Sequence, residues 1–223
     1  MRIPLSPHGV RELTLLTLGC ALLGWGLALV AWPLALLPAA LWVFGIAFFR
    51  DPERKLPADP QALVSPADGT VTDVVEVEGA PLLPERCLRV GIFLSVFDVH
   101  VNRAPMTGRV AGLRYQPGRF LDARDPAASR ENEAQDILIE GDSPALGPVL
   151  VRQIAGLIAR RIVCPLQVGA SVERGGRIGM IKFGSRTELL VPLRLAPRAL
   201  VRVGEKVRGT ATACVSIGGA SST

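Results

Sequence analysis

An uncharged apolar block near the N-terminus constrains this 223-residue chain more than any other feature. Residues 13–49 contain no Asp, Glu, Lys or Arg. The block is longer than the apolar core of a signal peptide, about 7 to 15 residues, and longer than one membrane span of about 20. Because Pro33 and Pro38 interrupt it near the middle, it predicts two short helices, over 13–32 and 34–49.

Basic residues flank the apolar block on both sides. Arg11 precedes it, and Arg50, Arg54 and Lys55 follow it. Since positively charged flanks favour the cytoplasmic side of a membrane, we expect both ends of the block to face the cytoplasm. The block is then a helical hairpin that dips into or crosses the bilayer. A buried helix pair in a soluble core is the alternative.

The rest of the chain has the pattern of a β-rich domain. Short runs of Val, Ile and Leu alternate with Gly, Pro and Asp about every 8 to 12 residues, which is typical of antiparallel barrels and sandwiches. The predicted fold is mainly β: an antiparallel domain similar to barrel-sandwich hybrids, preceded by the N-terminal α-helical membrane hairpin. Its segments are a leader (1–12), the hairpin (13–49), a linker (50–61), the β-rich catalytic domain (62–217) and a flexible tail (218–223).

Two segments interrupt the predicted strands. Residues 123–135 are polar and lack an apolar period, so they predict a long loop, and loops of this length in compact domains are often functional. Residues 154–159 predict a single turn of helix.

Composition argues against two classes of partner. The net charge of +5 would suit nucleic acid, but the arginines are scattered and aromatic residues make up 5% of the chain, too few for base stacking. A basic face towards an anionic membrane fits better. The four cysteines form no CxxC pair and the two histidines are far apart, so no metal site is expected.

Three stretches carry the groups that could do chemistry. One is the tight turn that presents Asp68, another contains His100, and the third is Gly184-Ser185 between two apolar runs. A serine needs an adjacent base, which is itself held by a third group, and these three side chains are the right types. Residues 183–187 lack a Gly-x-Ser-x-Gly elbow, which excludes an α/β-hydrolase.

The Gly184-Ser185 bond has two interpretations. It is either an ordinary hairpin corner with a capping serine, or a bond cut by its own serine, because glycine leaves its carbonyl open to attack. If the bond is cut, we expect the two pieces to stay together, with the strands on either side belonging to one sheet.

Four motifs in this order resemble the phosphatidylserine decarboxylases, in the shorter form found in many bacteria and in archaea. They are Ser-Pro-Ala-Asp-Gly at 65–69, Phe-Leu-Ser…Asp-Val-His-Val-Asn-Arg-Ala-Pro at 93–105, Asn-Glu at 132–133 and Gly-Ser at 184–185. Two positions depart from the longer enzymes. Those have Leu-Gly-Ser-Thr where this chain has Phe-Gly-Ser-Arg, and a second histidine where this chain has Arg103.

The resemblance implies a mechanism and a set of residue roles. Ser185, activated by His100 with Asp68 as its stabilising partner, would cleave the chain after Gly184. Residue 185 would then become a covalent pyruvoyl group, the only cofactor, and His100 would donate a proton during decarboxylation. Arg103 and Asn132 are the candidate substrate-binding residues.

The resemblance also implies partners and a location. The substrate is phosphatidylserine in the membrane, the product is phosphatidylethanolamine, and the large and small cleaved chains form a heterodimer. Homo-oligomerisation stays open. The expected location is the cell (inner) membrane, with the catalytic domain facing the cytoplasm. Two alternatives are a non-enzymatic, membrane-tethered barrel-sandwich binding module and a pyruvoyl decarboxylase of another amine.

Overall fold

The chain forms two compact units. The computed structural model describes residues 5–125, 127–143, 146–157, 161–182 and 184–218. The units are Met1–Glu53 and Arg54–Thr223. The boundary therefore falls inside the segment predicted as a linker.

The first unit is a pair of apolar helices. Helix α1 spans Val10–Val30 and helix α2 spans Leu36–Phe48, with a short 3-10 turn at Trp32–Ala35 between them. Pro33 lies in the 3-10 turn, where its missing N–H donor ends the first helix. Pro38 falls in the first turn of α2, where a helix tolerates proline. Two helices broken at Pro33 are what the apolar block predicts.

The surface of α1 is apolar on all sides. None of its residues is buried, and Leu22, Trp25 and Leu29 are 72%, 69% and 71% exposed. Inside the unit, Trp42 donates its indole N–H to the Thr17 hydroxyl at 3.0 Å, which links α2 to α1. Exposed apolar surface of this extent marks a site of membrane or protein contact.

The second unit is built from antiparallel strands. Its central strand, β11 (Ser185–Pro192), pairs with β3 (Cys87–Leu94) on one side and with β7 (Pro148–Ile154) on the other. The largest sheet has eight strands in the order β13-β2-β3-β11-β7-β6-β5-β9, and two three-stranded sheets have the orders β1-β14-β12 and β4-β10-β8. The strands are β1 (Leu63–Val64), β2 (Gly69–Val77), β3 (Cys87–Leu94), β4 (Val101–Arg103), β5 (Gly108–Gln116), β6 (Ala134–Gly141), β7 (Pro148–Ile154), β8 (Ile162–Val163), β9 (Ser171–Val172), β10 (Arg177–Ile181), β11 (Ser185–Pro192), β12 (Arg198–Ala199), β13 (Lys206–Val207) and β14 (Ala213–Ser216).

A large apolar core packs between these strands. It takes alternate residues from the inner faces of the strands, because successive side chains of a strand point to opposite sides. Its members include Val90, Ile92, Ile137, Val151 and Leu189, all fully buried. The predicted fold class, a mainly β antiparallel domain after apolar helices, is confirmed.

Several local predictions need correction. Helix α1 begins at Val10, inside the predicted leader, because the leader's last residues extend the same helix. The predicted loop at 123–135 contains a short helix, α3 (Ala128–Glu131), and β6 begins at Ala134. The predicted helical turn at 154–159 is wrong at its start, since β7 continues to Ile154 and residues 155–157 are not helical; residues 158–160 lie outside the described residues. Of the predicted tail, residues 219–223 also lie outside them.

The prediction that the strands on either side of Gly184-Ser185 share a sheet is wrong. Strand β10 pairs with β4 and β8, whereas β11 pairs with β3 and β7. The two runs resemble a hairpin in sequence because both are apolar and a glycine separates them. The glycine instead turns the chain from one sheet into another.

Candidate active site

Gly184 and Ser185 stand where the chain enters the central strand. Gly184 has φ +53, in the left-handed region that glycine adopts without steric cost. Ser185 is the first residue of β11 and pairs with Leu94 of β3. Its side chain is fully buried, and its Oγ makes no hydrogen bond with any residue that the structure describes. Leaving a buried hydroxyl unsatisfied costs about 1–3 kcal/mol, so such a group calls for a functional explanation.

His100 lies at the end of the loop that follows β3. The carboxylate of Asp98 closes this loop by accepting hydrogen bonds from the Ser95 N–H at 2.9 Å and the Ser95 hydroxyl at 2.7 Å. The Nδ1 of His100 is 2.9 Å from the carbonyl oxygen of Asp98. Because a carbonyl oxygen only accepts, Nδ1 carries the proton and the lone pair of the neutral ring is on Nε2.

Backbone pairing ties the histidine loop to the Gly-Ser dipeptide. The carbonyl of His100 accepts the N–H of Ile181 at 3.2 Å, and Leu94 pairs with Ser185. Ile181 and Ser185 therefore pair with the two ends of the segment 94–100. The fold brings these two predicted site stretches into one local structure, although 85 positions separate His100 from Ser185 (185 − 100).

Asp68 has a counterion that sequence reasoning missed. Its two carboxylate oxygens accept a bidentate pair of hydrogen bonds from Arg54, with Nη2 at 2.6 Å, and Oδ1 also accepts the Gly209 N–H at 2.8 Å. Such a forked pair fixes the position and orientation of the carboxylate. The role of Asp68 as the partner of His100 stays a prediction. No pattern in the linker distinguishes Arg54 from its charged neighbours.

A buried polar network beside Ser185 was also missed. Asn102 donates to the Thr187 hydroxyl at 2.9 Å and accepts from the Gln153 side chain at 2.8 Å, and all three residues are fully buried. Thr187 is two residues after Ser185, so both side chains point to the inner face of β11. The Oε1 of Gln153 has no hydrogen-bond partner among the described residues. The inner face at this end of the strand is therefore polar and buried from solvent.

The two candidate substrate-binding residues are engaged with the protein. Arg103, on β4, donates to the carbonyl of Gly175 at 3.1 Å. Asn132 is fully buried: its Nδ2 donates to the carbonyls of Leu121 and Ala155 at 2.9 and 2.8 Å, and its Oδ1 accepts the Leu121 N–H at 2.9 Å. Asn132 thus fastens the loop after β5 to the end of β7. Substrate contact by either residue stays a prediction.

The outer face of β11 carries a network of ion pairs. Arg186 donates to Glu188 at 2.8 Å and pairs with Asp73, which also accepts from Arg89 at 2.9 Å. Ser129 donates its hydroxyl to Glu188 at 2.6 Å. Arg186 and Glu188 are 4% and 2% exposed. Because buried charges persist only when they are paired, this network holds the strand from outside.

Comparison with known proteins shows the family of this chain. The family model for phosphatidylserine decarboxylase matches residues 41–214. A protein of Pelobacter propionicus named phosphatidylserine decarboxylase proenzyme is 46% identical over 198 residues, which is 89% of this chain and 87% of that protein. This chain belongs to the phosphatidylserine decarboxylase family.

Two further relatives have the same name as the Pelobacter propionicus protein. The protein of Rhodopirellula baltica is 44% identical across 92% of this chain and 85% of its own length, and that of Trichlorobacter lovleyi is 47% identical across 82% of each. The predicted family is thereby confirmed, and with it the prediction of an enzyme. Both relatives are named as proenzymes. In this decarboxylase family member, the described residues contain no group of three or more His, Cys, Asp or Glu side chains that could hold a metal ion.

Proposed function

We propose that this chain decarboxylates phosphatidylserine to phosphatidylethanolamine after it cuts its own backbone between Gly184 and Ser185. The observation that carries the proposal is the Ser185 hydroxyl, which is fully buried without a hydrogen-bond partner in the described part of the chain. It directly follows a glycine in the left-handed conformation. A hydroxyl kept from both water and protein partners is available to attack the neighbouring carbonyl.

His100 is the base in this proposal. Its Nε2 accepts the proton of the Ser185 hydroxyl, because Nδ1 is already committed to the Asp98 carbonyl. The Ser185 oxygen bonds to the carbonyl carbon of Gly184, the bond from that carbon to the Ser185 nitrogen breaks, and the proton ends on the released amine. Asp68 is assigned the electrostatic support of the imidazolium.

Elimination completes the cut. A proton leaves Cα of residue 185, and the Gly184 carboxylate leaves with the ester oxygen. The dehydroalanine that remains adds water and loses ammonia, which converts residue 185 into a pyruvoyl group. The large chain then ends at Gly184, and the small chain comprises residues 185–223.

The site fits a pyruvoyl group at residue 185. The position is fully buried, and the neighbouring network of Asn102, Gln153 and Thr187 offers polar groups in a dry environment. A pyruvoyl group supplies an electron sink for the electrons left when a carboxylate departs as CO2. Nε2 of His100 is assigned to return a proton to the substrate carbon. Arg103, with its fixed positive charge, and Asn132 are assigned to substrate binding.

The cleaved chains would stay together through the sheets. Strand β11 of the small chain lies between β3 and β7 of the large chain. In addition, β13 pairs with β2, and β14 pairs with β1. These ladders and the shared core support a heterodimer of the two chains.

The apolar first unit supports a membrane location. The helix Pro7–Val30 is long and apolar enough to cross a membrane by length and composition. Arg11, in the first turn of α1, and Arg50, after α2, lie at the two ends of the helix pair, which favours a cytoplasmic catalytic unit at the cell (inner) membrane. A lipid substrate suits an enzyme anchored in this way.

The test is the mass of the purified full-length protein. We expect two chains, the smaller blocked at its N-terminus by a ketoacyl group, and a single uncut chain from Ser185→Ala. Ser171→Ala, at an exposed serine of β9, is the matched control and should be cut normally. A single chain in the unsubstituted protein would reject the proposal and favour the binding module.

The substrate is tested separately with the cleaved protein. Vesicles that contain phosphatidylserine should yield phosphatidylethanolamine and CO2, whereas free serine and small amines should not react. Cleavage together with activity on small amines alone would favour the other pyruvoyl decarboxylase.

A further inference from the structure

The turn after β7 lies against the carbonyl that the proposed reaction attacks. A Cβ atom built on Gly156 would stand 2.0 Å from the carbonyl oxygen of Gly184 and 3.1 Å from its carbonyl carbon. Both of these atoms are backbone atoms, so no side chain can rotate away to make room. Only a residue without a side chain lets the two backbones approach this closely.

Gly156 and Gly184 are glycines for different reasons. Gly184 has φ +53, while a Cβ on it would meet no atom within 4 Å. Gly156 is not among the glycines with positive φ, so its backbone conformation is open to alanine. The requirement for glycine at 156 therefore arises from the contact with the Gly184 carbonyl, not from its own dihedral angles.

Asn132 holds the turn that carries Gly156. Its Nδ2 donates to the carbonyl of Ala155 at 2.8 Å, and the Ala155 N–H donates to the carbonyl of Glu133 at 2.9 Å. The same side chain makes two hydrogen bonds to the backbone of Leu121. One backbone hydrogen bond and one side-chain hydrogen bond thus fix Ala155, the residue immediately before Gly156, and the segment between β5 and β6 supplies both.

We propose that Gly156 is a positioning residue for self-cleavage, and that Asn132 holds it in place. Gly156 fixes the position of the Gly184 carbonyl relative to the Ser185 oxygen before the attack. That oxygen then bonds to the carbonyl carbon, and the amide bond breaks with transfer of the hydroxyl proton to the leaving amine. The inference rests on the self-cleavage described under the proposed function. Displacing a reacting atom by about 1 Å can slow a reaction by about 100-fold.

The first test is Gly156→Ala in the full-length chain, translated with vesicles and followed by pulse-chase on denaturing gels. We expect cleavage about 100-fold slower than in the unsubstituted chain. Hydroxylamine, which cuts the ester that precedes elimination, should also release much less of the large chain. This second readout shows that the attack itself is impaired.

Gly108→Ala is a control matched for overpacking. A Cβ on Gly108 would stand 2.0 Å from the carbonyl oxygen of Glu140, so the local clash is the same but lies away from the Gly-Ser bond. If the slow cleavage of Gly156→Ala came only from a strained fold, both variants would be slow. We expect Gly108→Ala to be cut at a rate within about 3-fold of the normal one, a much smaller change than the one of about 100-fold expected for Gly156→Ala.

Asn132→Asp tests whether the Asn132 side chain keeps Ala155 and Gly156 in position. The aspartate keeps the shape and the acceptor for the Leu121 N–H, but its carboxylate cannot donate to the carbonyls of Ala155 and Leu121. We expect cleavage about 10-fold slower, as the loss of one buried donor raises the barrier by about one factor of ten. In the double variant with Gly156→Ala, the additional slowing of cleavage should be less than about 10-fold, because both substitutions act through one contact.

The outcomes separate this inference from the proposed function. If the unsubstituted chain is cut and Gly156→Ala is cut at the rate of Gly108→Ala, the positioning role is wrong and self-cleavage stands. If Gly156→Ala accumulates the hydroxylamine-sensitive ester, Gly156 acts after the attack and the inference is also wrong. If the unsubstituted chain is never cut, both fail together.

Discussion

The two faces of strand β11 differ in how their polar groups are satisfied. On the inner face, Ser185 has a buried hydroxyl without a hydrogen-bond partner in the described structure. On the outer face, Arg186 and Glu188 are equally buried, but each is held by charged or hydroxyl partners. One eight-residue strand therefore presents an unsatisfied hydroxyl on one side and a network of paired charges on the other.

The contrast shows how a reactive serine can be kept in a fixed frame. An unsatisfied buried group destabilises the fold locally, by about 1–3 kcal/mol. The ion pairs on the opposite face fasten the same backbone to β2 and to α3, since Asp73 and Ser129 belong to those elements. We expect substitutions on the inner side to change chemistry and substitutions on the outer side to change stability.

The largest effect is expected from His100→Asn, which removes the base proposed for Ser185. The Nδ2 of asparagine can replace Nδ1 as the donor to the Asp98 carbonyl, but the variant has no basic nitrogen. Loss of a general base typically slows a reaction by about 10²- to 10⁴-fold. Pulse-chase measurement of the cleavage rate tests this.

Thermal unfolding supplies the control for His100→Asn. Measured in a Ser185→Ala background, the midpoint should change little, because the loop keeps its hydrogen bond. Normal cleavage in this variant would remove His100 from the self-cleavage step and leave it a role in decarboxylation alone.

The next effect is expected from Glu188→Gln, on the outer side. The change keeps the shape but leaves the buried guanidinium of Arg186 short of one partner. Breaking a buried pair costs about 3–5 kcal/mol, and we expect about 3 because Arg186 keeps Asp73. Unfolding by urea in detergent, in a Ser185→Ala background, measures this loss, while the cleavage rate of the otherwise normal chain should be unchanged.

Glu76→Gln is the matched control for the outer network. Glu76 pairs with Arg86 at 2.9 Å, but both side chains are more than half exposed. Exposed pairs contribute less than about 1 kcal/mol. Equal losses from Glu76→Gln and Glu188→Gln, or slow cleavage in Glu188→Gln, would contradict the division between the faces.

The smallest effect is a pH dependence of stability within the outer network. Burial raises the pKa of Asp73, but the guanidinium groups of Arg186 and Arg89 outweigh it and hold the pKa below its usual value. Asp136, on β6, pairs with Arg152 of β7 at 3.4 Å, and burial raises its pKa above the usual value despite this arginine. The two carboxylates should therefore respond to acid with opposite signs.

The direction of each response follows from linkage. The contribution of Asp73 to stability is present above its unfolded pKa of about 3.9 and is lost as the pH falls through its lowered folded pKa. The contribution of Asp136 is present below about 3.9 and is lost as the pH rises through its raised folded pKa. Asp73→Asn should flatten the acid loss, and Asp136→Asn should flatten the change above it.

Urea unfolding at a series of pH values, in a Ser185→Ala background, measures both slopes. The unsubstituted side chains serve as the reference at each pH. The contribution of each carboxylate is the difference in slope between the reference protein and the variant that lacks it. Differences of the same sign for Asp73→Asn and Asp136→Asn would show that the paired charges do not control the titration of Asp73.

The sequence determined the fold class and the type of chemistry. Apolar period and punctuation are local properties, so they predicted both the helix pair broken at Pro33 and the β-rich domain. Ser185 and His100 were identifiable because few other residues of the chain could serve as nucleophile and base. The motifs around them also predicted the family, which the comparisons confirm.

The hairpin prediction at Gly184-Ser185 failed for a physical reason. Two apolar runs around a glycine look alike whether they pair with one another or with different strands. Strand pairing is decided by hydrogen bonds to distant segments, here β4 and β8 for one run and β3 and β7 for the other. Sequence alone does not contain that register.

Only the tertiary structure decided what surrounds the Gly-Ser bond. Arg54 lies in a charged linker and Gly156 follows a strand, and nothing local distinguishes either residue. Their roles arise from contacts across 14 to 141 positions for Asp68 and from the approach of Gly156 to the Gly184 carbonyl. Such contacts depend on packing in three dimensions, so the sequence named the bond proposed to be cut, whereas the fold determined which residues surround it.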